Sequence, residues 1–334
     1  MKKRMFLLGM VLAMSATTTV FADEASTEEV TGDFRELSLF AGSIPENTPT
    51  GEALAYMADY INENSNDTLE AIAYYDTALG DATSMVQGLQ QGTIDIGISG
   101  TSYYSGLYAG IEVFQLPFLF EDLDTAREAV TGEAADKINE EFEQYGIVGL
   151  SFWENGFREL SNNVREVKTP EDLKGIKMRV LPASVQQQTW EALGATVTTM
   201  DASELYTGLQ TGTIDAQDNP LHEIVSRKLY EVQSYVSLTD ATYTPFYMSI
   251  SKITWDALSE SQQALIREAA DAAREKQLEL TDEANETALQ TLKDNGVTVT
   301  EDVDKAAFKE IAQEEWSVFT DECGTELLDL VQGN

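Results

Sequence analysis

The chain has 334 residues, 43% of them hydrophobic and 24% charged, with 58 acidic residues against 21 basic ones. That length is more than one hydrophobic core comfortably serves and fits two domains. A formal net charge of −37 opposes binding to nucleic acid or an anionic membrane surface. One Cys (Cys323) and one His (His222) exclude an internal disulfide framework, a Cys/His zinc cluster and most His-dependent nucleophile chemistry.

Lys2, Lys3 and Arg4 precede an apolar run from Met5 to about Met14, and Val20 and Ala22 stand where a cleavage site takes modest side chains. Residues 1–22 therefore read as a secretory signal peptide cut after Ala22. The apolar run falls short of the roughly 20 residues of a membrane-spanning helix, although a single N-terminal anchor is the alternative. No Cys stands at the cut and no later segment is long and apolar enough to span a bilayer, so neither a lipid anchor nor membrane insertion of the cleaved chain is expected. The expected mature chain is 334 less 22, or 312 residues; it loses three cations and keeps 18 against 58 acids. Residues 23–32 are polar and acidic and are expected to form a flexible leader.

Strands are predicted at Leu37–Ala41, Leu69–Tyr75, Gly110–Leu116, Ile147–Trp153, Lys177–Leu181 and Phe246–Ser251. Helices are predicted at Gly51–Asn62, Asp124–Val130, Pro170–Lys174 and Ala183–Leu193. Thr169-Pro170-Glu171-Asp172 is a helix start: a cap, Pro at the first position, then two acids on the positive dipole end. From about Ser259 to Lys293 the chain reads as one long helix stopped at Asn295-Gly296, followed by a short strand at Val297–Thr300 and about 30 largely helical residues. Strands alternating with helices argue for parallel α/β sheets, with ligands at the carboxyl ends of the strands.

An internal repeat organises this pattern. Asp81 to Asp95 and Asp201 to Asp215 share nine of fifteen residues at an offset of 120. Asp81 and Asp201 are good N-caps, Met85/Leu89 and Leu205/Leu209 lie on one helix face, and Gly92 and Gly212 stop each helix before Ile94 and Ile214 enter a strand. Two topologically similar α/β lobes are expected.

Cation placement is informative. Arg158, Arg165, Lys168, Lys174, Lys177 and Arg179 put six of those 18 cations into 22 residues. A local positive site in so acidic a chain suits an anionic small molecule, and the Arg fork pairs bidentately with a carboxylate. Most of these cations also fit solvated or salt-bridged roles, and for Arg158 and Arg179 both readings stand. Asp215-Ala216-Gln217-Asp218-Asn219-Pro220 ends the second repeat copy with amides at a strand's carboxyl end, so Gln217 and Asn219 are candidate contacts, or members of a polar turn. Trp153, Tyr103, Tyr104 and Phe157 are candidates for stacking on a ligand or for the core. The chain has no G-x-S-x-G, P-loop, G-x-G-x-x-G opening a helix or H-E-x-x-H, so no enzyme activity and no metal or other cofactor is expected. His222 beside Glu223 reads as structural.

Leu79-Gly80, Gly92-Thr93-Ile94-Asp95, Leu116-Pro117-Phe118-Leu119-Phe120, Trp153-Glu154-Asn155-Gly156-Phe157-Arg158, the stretch from Thr169 to Val180, Leu193-Gly194-Ala195 and the stretch from Glu204 to Gly212 occur in that order. The set resembles the DctP-type solute-binding proteins of TRAP (tripartite ATP-independent periplasmic) transporters, from about Leu37 to the C-terminus. The resemblance implies a two-lobed α/β periplasmic binding protein fold, type II-like, with a cleft between the domains and a long helix joining them. It places lobe I at 33–154 plus 245–285 and lobe II at 155–244 plus 286–334. It implies a periplasmic receptor that closes on an organic acid, such as a C4-dicarboxylate or a hexuronate, and hands it to TRAP membrane permease subunits. Arg179 resembles the family's main carboxylate partner, Arg158 a second anion contact, and Asn219 the residue that hydrogen-bonds the carboxylate region. Ala216 and Asp218 stand where the family's segment has Gly and Glu, and Val197-Thr198-Thr199-Met200-Asp201 replaces a proline-containing stretch, at positions that shape the pocket. A receptor that presents its ligand to a sensor kinase is the second reading, and an exported hydrolase of acidic sugars the third.

Overall fold

A computed structural model describes residues 29–333. The expected signal peptide, its expected cut after Ala22 and the expected leader up to residue 28 lie outside the described residues. The chain opens with β1 (Arg35–Gly42), α1 (Pro49–Asn64), β2 (Leu69–Asp76), α2 (Ala82–Gln91) and β3 (Ile96–Gly100). Helices α3 (Leu123–Ala129) and α4 (Glu133–Glu143) lead into β4 (Ile147–Asn162). A second run follows: β5 (Lys177–Val180), α5 (Ser184–Ala192), β6 (Thr196–Thr199), α6 (Leu205–Gln210), β7 (Ala216–Asn219) and α7 (Leu221–Ser226). The chain closes with β8 (Tyr235–Ser251), α8 (Lys252–Trp255), α9 (Glu260–Asp294), β9 (Thr298–Thr300), α10 (Lys305–Ala312), α11 (Trp316–Cys323) and α12 (Glu326–Gln332).

The strands form one sheet in the order β2-β1-β3-β8-β4-β7-β5-β6, with β9 beside β8. β1 is parallel to β2 and β3, and β5 is parallel to β6 and β7. The sheet is nonetheless mixed, not all-parallel as alternation suggested, because β8 runs antiparallel to β3 and β4, and β4 antiparallel to β7. β4 and β8 have 16 and 17 residues, far longer than the segments predicted, and they cross from one half of the sheet to the other. Their register shifts at Gly149/Ser151, Glu154/Gly156 and Arg158/Leu160. Such bulges break the two-residue alternation by which a strand is read, and the polar Glu154-Asn155-Gly156 hid the crossing.

The first repeat copy has its capped helix as read, whereas in the second Asp201 caps a 3-10 turn, Ala202–Glu204, that leads into α6. Asp81 Oδ1 accepts Ser84 N at 2.7 Å and Asp201 Oδ1 accepts Ser203 N at 2.8 Å. Gly92 and Gly212 stop the helices at φ 71° and 69°, a left-handed geometry that glycine adopts without steric cost. The strands begin two residues after the buried Ile94 and Ile214. Asp95 Oδ2 then accepts Ser38 N of β1 at 2.9 Å, and Asp215 Oδ2 accepts Lys177 N of β5 at 3.1 Å. The last residue of each copy thus ties the unit to its neighbouring parallel strand.

Helix α1 buries Ala53, Leu54, Met57, Ala58 and Ile61, a stripe of helical period, against the sheet and against Leu265, Ile266, Ala269, Ala270 and Ala273 of α9. Each large aliphatic side chain so buried contributes about 1.5–3 kcal/mol. α9 starts with a capping box, Ser259 with Gln262, and its buried Gln277 clips it to β4: Nε2 donates to Glu154 O and Oε1 accepts Glu154 N. Further along, α9 packs against α7, so it spans both halves.

Four segments depart from expectation. Residues 109–115 form 3-10 turns, not a strand; Ile111, Val113 and Phe114 still enter the core, because a short apolar run carries no period that separates the two. Pro170–Leu173 is also a 3-10 turn, with Thr169 N donating to Asp172 Oδ2 at 3.0 Å. The end of the leader is tied down: Thr31 N donates to Ser261 Oγ at 3.0 Å, and Val30 packs on the α1/α9 core. Phe319, Leu327 and Leu328 of α11 and α12 join the aromatic core around Phe114 and Phe142, so the chain's end packs on the first half of the molecule, outside the division at 286–334.

Candidate ligand-binding site

β1, β3, β5 and β7 all end at one place. There Gly42-Ser43, Ser99-Gly100, Arg179 with Leu181, and Asn219 line a pocket. Asn155, Arg158 and Thr244, from the bulged crossing of β4 and β8, complete the wall with Phe246. Helix α7 adds Glu223, with Arg227 just beyond its end.

Arg158 is wholly enclosed. Its Nε donates to Asp218 Oδ2 at 2.9 Å, its Nη2 to Asn219 Oδ1 at 3.0 Å and to Asp218 O, and its Nη1 to Thr244 Oγ1 at 3.3 Å. The register of β4 on β7, with Glu159 opposite Asn219 and Leu160 opposite Asp218, brings these groups together. Arg179 is the opposite case. Its side chain is 0% exposed, Nε donates to Met200 O at 2.9 Å, and Nη2 has no partner. Among the described residues no carboxylate forms an ion pair with it. Burial pulls its pKa below the ordinary guanidinium value, opposed by nearby Tyr103. A buried guanidinium with a free edge has donors left to pair with an anion.

Of the other predicted contacts, Asn219 lines the pocket. Gln217 stands behind it, its Oε1 accepting Asn219 Nδ2 at 2.5 Å while its Nε2 donates to Ser161 Oγ at 2.7 Å. Trp153 does not line the pocket: its side chain points to the opposite core, among Leu54, Met57 and Phe246. Tyr104 is likewise core, edge-on to Phe142 and Tyr247, and Phe157 packs on Tyr243. Tyr103 does line the pocket, and its hydroxyl accepts Ala202 N at 3.1 Å. Lys168 and Lys177 pair at the surface with Asp302 and Asp215, as their ordinary reading held. Burial pushes the Cys323 thiol up to about 11, which leaves it protonated.

Sequence reading missed Ser43, Glu223 and Arg227. Ser43 sits at φ 59°, its Oγ donates to Asp201 Oδ1 at 2.7 Å, and its carbonyl accepts Arg227 Nη2 at 2.9 Å. These bonds join the β1 end to the α6–α7 region across the pocket. Arg227 Nε in turn donates to Glu223 Oε2 at 2.5 Å. A Glu and an Arg four apart on a helix read as a solvated pair, and no local signal marks this one as buried.

A mixed α/β sheet with two strands crossing between halves, and a polar pocket at the crossing built around an unneutralised arginine, defines a cleft-type binding protein. Comparison with known proteins agrees. The chain belongs to the DctP family, bacterial extracellular solute-binding protein family 7, whose model matches residues 40–322. It is 36% identical over 253 residues to the 2,3-diketo-L-gulonate-binding periplasmic protein YiaO of Escherichia coli, covering 75% of this chain and 77% of that one. It is 26% identical over 330 residues to the C4-dicarboxylate-binding periplasmic protein DctP of Rhodobacter capsulatus, covering 98% and 97%. The fold matches the sugar acid binding protein DctPAm of Advenella mimigardefordensis in complex with galactonate, with TM-score 0.86, 31% identity and coverage of 90% and 99%.

Proposed function

We propose that this protein is the receptor of a TRAP transporter: exported to the periplasm by a signal peptide cut after Ala22, it captures an organic acid in its cleft and delivers it to the membrane permease. Arg179 holds the ligand carboxylate, and Arg158 and Asn219 set the shape of the floor around it. The observation that carries this reading is the fully buried Arg179 with an unpartnered Nη2 at the pocket wall. Its support from outside the chain is that the relatives above are named for organic acids. Capture proceeds by hinge closure of two lobes, the motion of periplasmic binding proteins as a class. We place lobe I at 33–154 plus 245–285 and lobe II at 155–244 plus 286–315, with 316–333 returning to lobe I. The bonds of Ser43 to Asp201 and Arg227, and of Ala202 to Tyr103, are then the closure contacts.

A thermal-shift screen of the purified protein against organic acids tests the reading, after unfolding and refolding to strip any ligand carried from the host. An acid at about 1,000 times its dissociation constant adds about 4 kcal/mol and raises the melting temperature by several degrees. A protein silent toward every acid removes the acid-receptor role; an Arg179→Ala variant that responds equally removes Arg179 from the site and leaves that role standing.

A further inference from the structure

We propose, resting on that receptor reading, that the cleft selects a hydroxylated monocarboxylate over a dicarboxylate and that Glu223 makes the selection. Four charged side chains line the pocket: Arg158, Arg179, Arg227 and Glu223. Two of the arginines are already neutralised, Arg158 by Asp218 at 2.9 Å and Arg227 by Glu223 at 2.5 Å. Only Arg179 is left over, so the site calls for a single negative charge. Asp201 precedes the lining residue Ala202 without lining the pocket, and its Oδ1 is taken by Ser43 Oγ, Ser203 N and Ser203 Oγ.

The unpartnered polar atoms of the wall describe the rest of the ligand. Arg179 Nη2 is a donor, whereas Asn155 Oδ1 and Glu223 Oε1 are acceptors. His222 Nε2 lies 3.9 Å from Glu223 Oε1, beyond hydrogen-bond reach, and burial holds that imidazole toward its neutral form. A carboxylate oxygen accepts only, so Glu223 Oε1 takes a ligand hydroxyl and repels a second ligand carboxylate. Ile44, Leu181 and Phe246 face the carbon skeleton between these ends. A dicarboxylate would bring its second charge beside Glu223 with no free cation to meet it.

Calorimetry on the refolded, ligand-free protein compares galactonate, glucuronate and pantoate with succinate, malate and fumarate. The best hydroxylated monoacid should bind at least about 100-fold tighter than the best dicarboxylate, given the cost of facing like charges in a desolvated site. Hexanoate keeps the carboxylate and drops the hydroxyls; it should bind at least about 100-fold more weakly than that monoacid, because both acceptors stay unpaired. Glu223→Gln should narrow the gap between the two classes by about tenfold or more. Succinate, malate or fumarate binding as tightly as the best monoacid overturns the proposal and leaves the acid receptor standing. Silence toward all six acids in a protein that melts cooperatively overturns both. If Glu223→Gln does not fold, the ranking of acids on the unaltered protein still decides.

Discussion

Arg158 Nε lies 2.9 Å from Asp218 Oδ2, and each of the two side chains is only 1% exposed. Arg179, equally buried, forms no ion pair with any carboxylate among the described residues. Two guanidiniums in one cleft therefore have opposite energetic roles. Removing one partner of a buried pair leaves the other charge stranded, so Arg158→Ala should destabilise the ligand-free protein by about 3–5 kcal/mol in urea unfolding. Arg179→Ala removes a desolvated charge that lacks a partner and should leave ligand-free stability unchanged or raised. The same variant should weaken acid binding by at least about 2 kcal/mol. Equal losses of stability in both variants would contradict the assignment.

Lysine should not replace Arg179. Its Nε is spent on Met200 O while Nη2 is left without a partner. A single ammonium has no planar fork to serve both at once. Arg179→Lys should keep the fold and lose more than about tenfold in acid affinity by calorimetry. Near-parental affinity would show that charge alone suffices.

Trp153 separates a packing role from a binding one. Its ring is fully buried in the α1/α9 core and does not line the pocket. Trp153→Ala should lower stability by about 3–5 kcal/mol. The folded protein at low temperature should retain parental affinity for acids. A matching loss of affinity would return Trp153 to the site.

His222 gives the fold a pH dependence of known sign. Its Nδ1 lies 3.2 Å from Asn285 Oδ1, and burial outweighs Glu223, Asn285 and Glu154 to hold its pKa below the ordinary 6.5. The unfolded chain takes up the proton near pH 6.5 and the folded chain only at lower pH. This contribution to stability is therefore complete above about pH 6.5 and shrinks as pH falls below it. Between pH 7 and 5.5, His222→Gln should melt with a flatter dependence on pH than the parent; an unchanged slope would place the titration elsewhere.

Glu159 has the opposite sign. Burial, then the charge of Asp240, push its carboxyl well above the usual carboxylate value, while Lys305 pairs with Asp240. Its Oε2 accepts Asp240 N at 3.1 Å. The folded protein keeps this proton to higher pH than the unfolded chain, so stability is lost as pH rises through the folded pKa. Glu159→Gln carries no such proton and should be more stable than the parent at pH 8, with a smaller margin at pH 5. A margin independent of pH would mean the carboxyl stays ionised.

Much of this molecule could be read locally. Capping aspartates, helix-stopping glycines and an apolar stripe of helical period act within a few residues, and α1, α2, α6 and α9 formed where those signals stood. The repeat from Asp81 to Asp95 and from Asp201 to Asp215 announced two related units, and the structure added that the last aspartate of each anchors it to its neighbour strand. The density of cations from Arg158 to Arg179 pointed to a site in an acidic chain.

What local signals could not carry was the placement of groups far apart in the chain. Bulges along β4 and β8 erase the alternation that would have revealed two long crossing strands. Gln217 and Trp153 were plausible contacts by residue type, but strand register turns one toward Asn219 and Ser161 and the other into the core. Ser43, Glu223 and Arg227 carry no motif; they meet only because the β1 end faces the α7 end across the cleft. Composition and local pattern thus determined many of the elements, the two-unit plan and the arginines at stake. Only the tertiary structure decided which arginine remains unneutralised, because that depends on which carboxylates folding brings within hydrogen-bond reach.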